Sequence, residues 1–266
     1  MIPRVAVFKM ASCDGCQLQL LDAEEALLEL AGAVEIANFA EASSHIEPGP
    51  YDVTLVEGSI STPEQIDQIT EIREQSGVLI AIGACATAGG IQALRNGNAI
   101  DGVVSAVYPT PEYVSTLAES TPVSEHVKVD LELSGCPIDR GELLGALSGL
   151  LQGAVPRLPT VPVCIECKRR GIVCVMVTRD EPCLGPVTRT GCGALCPGMA
   201  RGCYGCFGRS ETPNADELAR KFLDLGMPPK HLPATFRFIT GHDTVLREVS
   251  GHIEVEELES KEVSAS

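Results

Sequence analysis

In the first half of the chain, short β-branched apolar runs alternate with stretches whose apolar residues recur at helical spacing. The runs predict strands at Val5–Phe8, Val34–Phe39, Val53–Glu57, Val78–Ile82, Val103–Val107 and Val127–Leu131. The helical spacing predicts helices at Leu18–Leu30, Pro63–Gln75, Ala86–Arg95 and Asp139–Leu151. Alternation of this kind is typical of an α/β fold with a doubly wound parallel sheet, of the flavodoxin-like type, which we assign to residues 1–155.

The pattern changes at a connector, 155–162, which contains three prolines. Beyond it, glycine, proline and cysteine dominate and the apolar periodicity is weak, so bound metal centres are expected to organise an irregular domain over residues 163–266. Within that domain we predict an amphipathic helix at Asp216–Leu225, a short β-like segment after it, and an acidic tail from Ile253.

Twelve cysteines supply the strongest chemical signal. The crowded ones are Cys164, Cys167, Cys174, Cys183, Cys192, Cys196, Cys203 and Cys206, and the scattered ones are Cys13, Cys16, Cys85 and Cys136. Four thiolates hold one iron–sulfur cube or one structural zinc, so twelve correspond to three sites. The N-terminus lacks the features of a secretion signal and no apolar run approaches ~20 residues. The chain is therefore expected to be cytoplasmic and soluble, where metal binding is more common than disulfides.

Charge and motif content exclude several functions. The net charge of -16 disfavours nucleic acid and anionic membranes as partners. The segment from Cys164 to Arg209 is the exception, with seven basic residues against three acidic ones. These cations either stabilise anionic clusters or form an ordinary solvated surface. The glycine-rich run Gly83–Gly90 has neither P-loop nor dinucleotide-fold spacing, so no nucleotide site is predicted.

The scattered cysteines share one position in the predicted fold, because each follows a strand. Cys13 and Cys16 come after the first strand, Cys85 after Val78–Ile82, and Cys136 after Val127–Leu131. Loops at the carboxyl ends of parallel strands converge, so these four thiolates can meet at one point. The alternative is that they are four separate buried cysteines.

The crowded cysteines include a Cys-x2-Cys pair at each end of the segment, Cys164 with Cys167 and Cys203 with Cys206. Such pairs are a metal-binding signal, but a zinc ribbon normally uses two of them per site. One pair plus two isolated cysteines per quartet favours iron–sulfur clusters and leaves zinc as an alternative.

Six motifs occur here in the order found in one known family. They are Cys13-Asp14-Gly15-Cys16, Glu57-Gly58-Ser59, Gly83-Ala84-Cys85-Ala86, Gly135-Cys136-Pro137, Cys183-Leu184-Gly185-Pro186-Val187-Thr188 and Gly202-Cys203-Tyr204-Gly205-Cys206. Over about residues 5–208 the chain resembles small subunits of [NiFe]-hydrogenases. It is most similar to their cytoplasmic NAD(P)-linked branch, which includes the sulfhydrogenase delta subunits.

The resemblance implies three [4Fe–4S] clusters. The ligands it implies are Cys13, Cys16, Cys85 and Cys136 for the proximal cluster, Cys192, Cys196, Cys203 and Cys206 for the medial cluster, and Cys164, Cys167, Cys174 and Cys183 for the distal cluster. Periplasmic relatives usually have histidine in place of Cys164 and often proline in place of Cys196, so cysteine at both positions favours three low-potential cubes. For Glu57, the resemblance suggests proton relay near the large-subunit contact, and the alternative is an exposed loop carboxylate.

The implied function is electron transfer between the nickel–iron site of a separate large catalytic subunit and a reductase module. That module would comprise a flavin (FAD) subunit that reacts with NAD(P)(H) and an iron–sulfur subunit. The sequence leaves two alternatives open. One is the small subunit of a hydrogenase linked to F420 or to heterodisulfide reductase, and the other is a zinc-stabilised structural protein.

Overall fold

The computed structural model of the protein describes residues 2–23 and 32–248. The chain divides into two compact units between Leu158 and Pro159, inside the predicted connector. Among the described residues, none of the helices has the length and apolar character needed to cross a membrane.

The first unit contains a five-stranded, fully parallel sheet. Its strands are β1 (Arg4–Lys9), β2 (Glu35–Phe39), β3 (Tyr51–Glu57), β4 (Ser76–Ile82) and β5 (Leu131–Leu133). The spatial order β2-β1-β3-β4-β5 is that of flavodoxin-like sheets, so the predicted fold class is confirmed. The order reverses between β1 and β3, which creates a crevice at the carboxyl ends of these strands.

Helices accompany the strands in the expected alternation. They are α1 (Gly15–Leu21), α2 (Pro63–Glu74), α3 (Gly83–Ala88), α4 (Ile100–Val107) and α5 (Arg140–Leu151), with 3₁₀ turns at Ile91–Arg95, Pro111–Tyr113 and Val123–Glu125. Helix α2 begins at Pro63, where Gln65 Oε1 accepts hydrogen bonds from the N–H groups of Ser61 at 2.8 Å and Thr62 at 3.2 Å. These bonds satisfy donors that a helix start otherwise leaves unpaired.

Apolar side chains are buried on both faces of the sheet, as expected for parallel strands covered by helices. On one face Leu55 of β3 packs in a core cluster with Leu147 of α5. On the other face its neighbour Val56 packs in a cluster with Ile69 of α2. Alternate residues of one strand therefore serve two separate cores, which holds the strand ends in fixed positions.

The prediction of a strand at Val103–Val107 is wrong, because these residues lie in α4. Ile100, Val103, Val104 and Val107 follow the i, i+3, i+4, i+7 spacing of one helical face. Their β-branched side chains suggest a strand, but every residue of α4 is at least partly exposed. No packing in a sheet therefore stabilises the extended conformation here.

Three further elements differ in their bounds from the sequence prediction. The last strand is Leu131–Leu133 rather than Val127–Leu131. Val127 and Val129 still pack against the core cluster that contains Val56 and Ile69. The helix predicted at Ala86–Arg95 is split into α3 and a 3₁₀ turn, because Gly89 and Gly90 have φ of +76° and +62°. The predicted helix Leu18–Leu30 corresponds to α1 as far as Leu21, and residues 24–31 lie outside the described part of the chain.

Asp130 joins the start of β5 to β4, and its loss should lower stability in a pH-dependent way. Its Oδ2 accepts the Leu79 N–H at 2.9 Å and contacts Arg73 Nη1 at 2.6 Å. Burial alone raises the pKa of the Asp130 carboxyl, but the bonds from Leu79, Arg73 and Lys128 outweigh it, so the pKa lies below its usual value. A lowered pKa stabilises the folded state above the unfolded pKa of ~3.9, and this contribution disappears as the pH falls through the folded pKa.

We therefore expect Asp130→Asn to lower the free energy of unfolding by about 1–2 kcal/mol at pH 7. The difference from wild type should shrink below about pH 4. Urea unfolding followed by far-UV circular dichroism between pH 7 and pH 3.5 checks both values. A difference that does not change with pH would contradict the role of the charged carboxylate.

The second unit is built from short helices joined by loops. They are α6 (Cys164–Arg169), α7 (Val175–Thr178), α8 (Leu195–Gly198), α9 (Ala215–Asp224) and α10 (Leu232–Arg237), with a 3₁₀ turn at Pro229–His231. Helix α9 confirms the predicted amphipathic helix, whereas the β-like segment predicted after it is absent from residues 226–248, where α10 forms instead. Leu232 and Phe236, spaced i, i+4 in α10, are fully buried in one core cluster with Phe222 of α9. The predicted acidic tail from Ile253 lies outside the described residues.

Candidate metal centres

The scattered cysteines lie at the carboxyl edge of the sheet. Cys13 follows β1, Cys16 and Cys85 lie in the helices that follow β1 and β4, and Cys136 follows β5. Cys16 is buried, with 6% of its surface exposed. Burial first, and then the nearby charges of Glu57, Cys85 and Cys136, raise the pKa of the Cys16 thiol. Burial, followed by Cys136 and Cys13 among its neighbours, raises the pKa of Cys85 to about 11. The sheet therefore brings these four thiols within electrostatic reach of one another.

Two glycines allow the backbone to lie directly against these thiols. Gly83 has φ of +87°, and a Cβ added to it would collide with Cys16 Sγ. A Cβ added to Gly90, with φ of +62°, would lie 2.5 Å from Cys85 Sγ. Both positions combine backbone angles that favour glycine with close approach to a sulfur. Four soft sulfur donors at one edge of the sheet fit the ligation chemistry of an iron–sulfur cube.

Glu57 is the last residue of β3 and is buried, with 2% of its surface exposed. Its Oε1 accepts the Cys16 N–H at 3.0 Å and its Oε2 accepts a hydrogen bond from Gln17 Nε2 at 3.0 Å. The alternative of an exposed loop carboxylate is therefore wrong. A buried carboxylate that holds the backbone of Cys16 fixes the position of one thiol in the quartet.

Two glutamines at this edge have contacts that the sequence does not predict. Gln17, which donates to Glu57, is also 2% exposed. Gln92 accepts a hydrogen bond from Cys85 Sγ at 3.3 Å and donates one to the Ala11 carbonyl at 2.9 Å. The position of Gln17 directly after Cys16 is the only signal for its role in the sequence, and Gln92 carries no comparable signal.

In the second unit, short helices begin at or beside several of the crowded cysteines. Cys164 and Cys167 lie in α6, and Cys174 immediately precedes α7. Burial, followed by the charges of Cys183, Cys167 and Cys174, raises the pKa of Cys164 to about 11. These are the four residues of the predicted distal quartet, which the structure places near one another.

The remaining crowded cysteines lie close to this group as well as to one another. Burial first, and then Cys192, raise the pKa of Cys196, while Arg201 lowers it. Burial, with smaller contributions from Cys183 and Cys206, raises the pKa of Cys203 to about 12. Because Cys203 is close to Cys183 as well as to Cys206, proximity alone does not divide the eight thiols into two quartets.

The basic residues of this segment have a third role besides the two considered from the sequence. Arg170 Nη1 donates to the Gly193 carbonyl, and Arg179 Nη1 donates to the Ala200 carbonyl at 3.2 Å. Arg189 is 8% exposed and donates to the Pro159 carbonyl at 3.2 Å. These guanidinium groups bind the backbone of the loops.

Across residues 2–23 and 32–248, we find no three His, Cys, Asp or Glu side chains grouped as needed for a single metal ion.

Known proteins are similar to this chain over most of its length. The family model of the NADH ubiquinone oxidoreductase 20 kDa subunit matches residues 13–150. The sulfhydrogenase 2 subunit delta of Pyrococcus furiosus is 36% identical over 83% of this chain and 93% of its own length. A vhu subunit of the F420-non-reducing hydrogenase of Methanocaldococcus jannaschii is 34% identical over 84% of each chain.

Similarity to a solved structure agrees with these sequence matches. A chain of the NAD⁺-reducing [NiFe]-hydrogenase, in its H₂-reduced state, superposes with a TM-score of 0.55 and 27% identity. The match covers 60% of the present chain and 96% of that chain. The chain therefore belongs to the NADH ubiquinone oxidoreductase 20 kDa subunit family and, within it, is a small subunit of the [NiFe]-hydrogenase type, a component of an oxidoreductase.

Proposed function

We propose that the chain transfers electrons through three [4Fe–4S] clusters, between the nickel–iron site of a separate large subunit and a reductase module that reacts with NAD(P)(H). The observation that carries this proposal is the meeting of Cys13, Cys16, Cys85 and Cys136 at the carboxyl edge of the sheet, where the backbone of Gly83 and Gly90 lies directly against two of the sulfurs. The proposed ligand sets are these four for the proximal cluster, Cys192, Cys196, Cys203 and Cys206 for the medial cluster, and Cys164, Cys167, Cys174 and Cys183 for the distal cluster.

The residues of this chain would hold the clusters, shield them from water and set their potentials. Cys16, Cys183 and Cys203 are buried, so part of each proposed ligand set lies away from solvent. Cysteine at every proposed ligand position favours low potentials, because an anionic thiolate stabilises the oxidised cluster more than a neutral imidazole does. Low potentials suit electron exchange with a nicotinamide-linked partner.

One relative supports this choice of partner, because the solved structure with 27% identity is described as NAD⁺-reducing. By analogy we propose a cytoplasmic complex with a large [NiFe] subunit, a flavin (FAD) subunit that binds NAD(P)(H) and an iron–sulfur subunit. A second candidate, an acceptor other than a nicotinamide, is favoured by the relative described as part of an F420-non-reducing hydrogenase.

Metal analysis and a turnover assay test these proposals separately. Anaerobically purified chain should be brown and contain about twelve iron and twelve labile sulfide, four of each per cube. A colourless protein that contains zinc would favour the structural alternative and overturn the proposal. Complex purified with both its large subunit and its reductase module should reduce NADP⁺ or NAD⁺ with hydrogen, whereas full cluster content without nicotinamide reduction would favour the second candidate.

We propose that Glu57 also takes part in proton transfer, and Glu57→Gln tests this role. The glutamine keeps an oxygen that can accept the Cys16 N–H, but it cannot take up a proton at the position of Oε2. We therefore expect unchanged iron content and hydrogen oxidation reduced by about 10²-fold or more, the usual contribution of a positioned acid or base. Gln17→Ala, which removes only the neighbouring amide, is the matched control and should have a smaller effect. Wild-type turnover in Glu57→Gln would restrict Glu57 to positioning Cys16.

A further inference from the structure

Two glutamates of the second unit reach across the proposed division between its quartets. Glu166 lies in α6 between Cys164 and Cys167, two cysteines of the proposed distal quartet. Its Oε2 accepts the Ala194 N–H at 2.8 Å. Ala194 lies between Cys192 and Cys196, so a carboxylate from one quartet holds the backbone of the other.

Glu181 makes the corresponding bond at a second point. It lies two residues before Cys183, and its Oε1 accepts the Gly202 N–H at 2.7 Å. Gly202 immediately precedes Cys203, whose own N–H donates to Cys183 Sγ at 3.1 Å. Here, too, the carboxylate belongs to the proposed distal quartet and the N–H group to the proposed medial quartet.

The backbone is constrained at both contacts, by its conformation at Ala194 and by close packing at Gly202. Ala194 has φ of +52°, a left-handed conformation that is unfavourable for a residue with a side chain, and it is fully buried. Gly202 runs so close to Pro182 that an added Cβ would overlap the Pro182 carbonyl oxygen. Unfavourable backbone conformations persist only where surrounding contacts hold them. A charge-assisted hydrogen bond from a carboxylate is among the stronger contacts available for this purpose.

Arginines reinforce the same two connections. The Arg170 bond to Gly193 joins the residue after α6 to the loop that carries Cys192. The Arg179 bond to Ala200 joins the residue after α7 to the loop between Cys196 and Cys203. At each connection a carboxylate accepts one N–H group and a guanidinium donates to a carbonyl nearby. The backbone of each loop is thus held both through an N–H group and through a carbonyl group.

We propose that Glu166 and Glu181 are positioning residues that connect the two crowded quartets, so that neither quartet reaches its cluster-binding geometry without the other. This inference rests on the proposed function, because it requires that the crowded cysteines bind two clusters. It predicts that the medial and distal clusters assemble together, independently of the proximal cluster held by the first unit.

Alanine substitutions measure this dependence. Full-length Glu166→Ala and Glu181→Ala, purified anaerobically, should each contain about four iron instead of about twelve, because both crowded clusters are lost together. A value near eight would show that the clusters assemble independently and would overturn the connection. A value near twelve would overturn the positioning role. The matched control is Glu211→Ala, which removes an exposed carboxylate that bonds Thr160 Oγ1 at 2.9 Å in the same unit, and it should keep about twelve.

Glutamine substitutions separate positioning from a general failure to fold. Glu166→Gln and Glu181→Gln keep an oxygen acceptor but lose the negative charge. We expect each to contain about twelve iron. A potentiometric titration followed by EPR should show the midpoint potentials of the medial and distal clusters shifted to more positive values, with the proximal cluster unchanged. Iron loss equal to that of the alanine variants, or unshifted potentials, would overturn the proposal. Wild-type chain without about twelve iron would instead refute the proposed function.

Discussion

Gly83→Ala should eliminate the proximal cluster while the sheet of the first unit remains folded. The new Cβ would occupy the space of Cys16 Sγ, and the backbone at this position, with φ of +87°, already disfavours a side chain. Rotation of the sulfur would not rescue the site, because Glu57 keeps the Cys16 backbone in place and a rotated sulfur no longer faces its three partners. The collision and the strained backbone act together, so we expect one of the largest effects among single substitutions in this chain.

The measurement is the iron content together with hydrogen-dependent reduction of nicotinamide. The iron content should fall from about twelve to about eight per chain, and the reduction should fall to background because the first step from the large subunit is lost. Gly145→Ala in α5 is the matched control, because its added Cβ meets no atom of the described residues within 4 Å. That control should retain all its iron and gain up to about 1 kcal/mol of stability, the usual advantage of alanine over glycine inside a helix. Full iron content in Gly83→Ala would contradict the proposed position of the proximal cluster.

The candidate site in the first unit can be predicted from the sequence, because the order of strands alone determines where its cysteines meet. Once Cys13, Cys85 and Cys136 are each assigned to the end of a parallel strand, the sheet brings them to one edge. This inference tolerates an error in the last strand, since shifting β5 to Leu131–Leu133 leaves Cys136 just beyond the carboxyl end. The burial of Glu57 is harder to predict from the sequence, because it depends on which residues cover the end of β3.

The wrong strand prediction at Val103–Val107 has a clear physical origin. The β-branched composition of Val103–Val107 indicates a strand, although the same apolar residues follow a helical repeat. Side-chain type and spacing therefore point in opposite directions, and the position of α4 outside the sheet decides between them. Composition measures how well a residue suits a pleated, half-buried surface, so it misleads where no such surface is present.

In the second unit, the sequence indicates the chemistry of the site more clearly than it indicates the three-dimensional structure. The cysteine spacing indicates metal sites, but the contacts between the loops join residues far apart in the chain, such as Glu166 with Ala194 and Glu181 with Gly202. Such carboxylate-to-backbone bonds follow no spacing rule, since any N–H group can be the donor. Only the folded chain shows which carboxylates lie within reach.

Removal of iron should open the cysteine segment of the second unit and leave the sheet of the first unit intact. The buried cluster at this segment consists of Val163, Val175, Cys183, Ala194 and Cys203, so two of its members are proposed metal ligands. The first unit instead buries large apolar side chains on both faces of its sheet, among them Leu55 and Ile69. Metal-binding free energy can amount to about 10 kcal/mol or more in small metal-dependent domains, where it replaces the contribution of an apolar core.

Limited trypsin digestion under anaerobic conditions, with and without an iron chelator, measures this difference. Lys168, Arg169 and Arg170 lie at the end of α6, next to Cys167, and are exposed. After chelation we expect cleavage here to become more than about tenfold faster, because the open state is no longer opposed by metal binding. Cleavage after Arg73 in α2, which bonds Asp130, is the internal control and should stay slow. Equal acceleration at Arg73 would show that metal also supports the sheet, whereas unchanged cleavage at α6 would show that the cysteine segment folds without it.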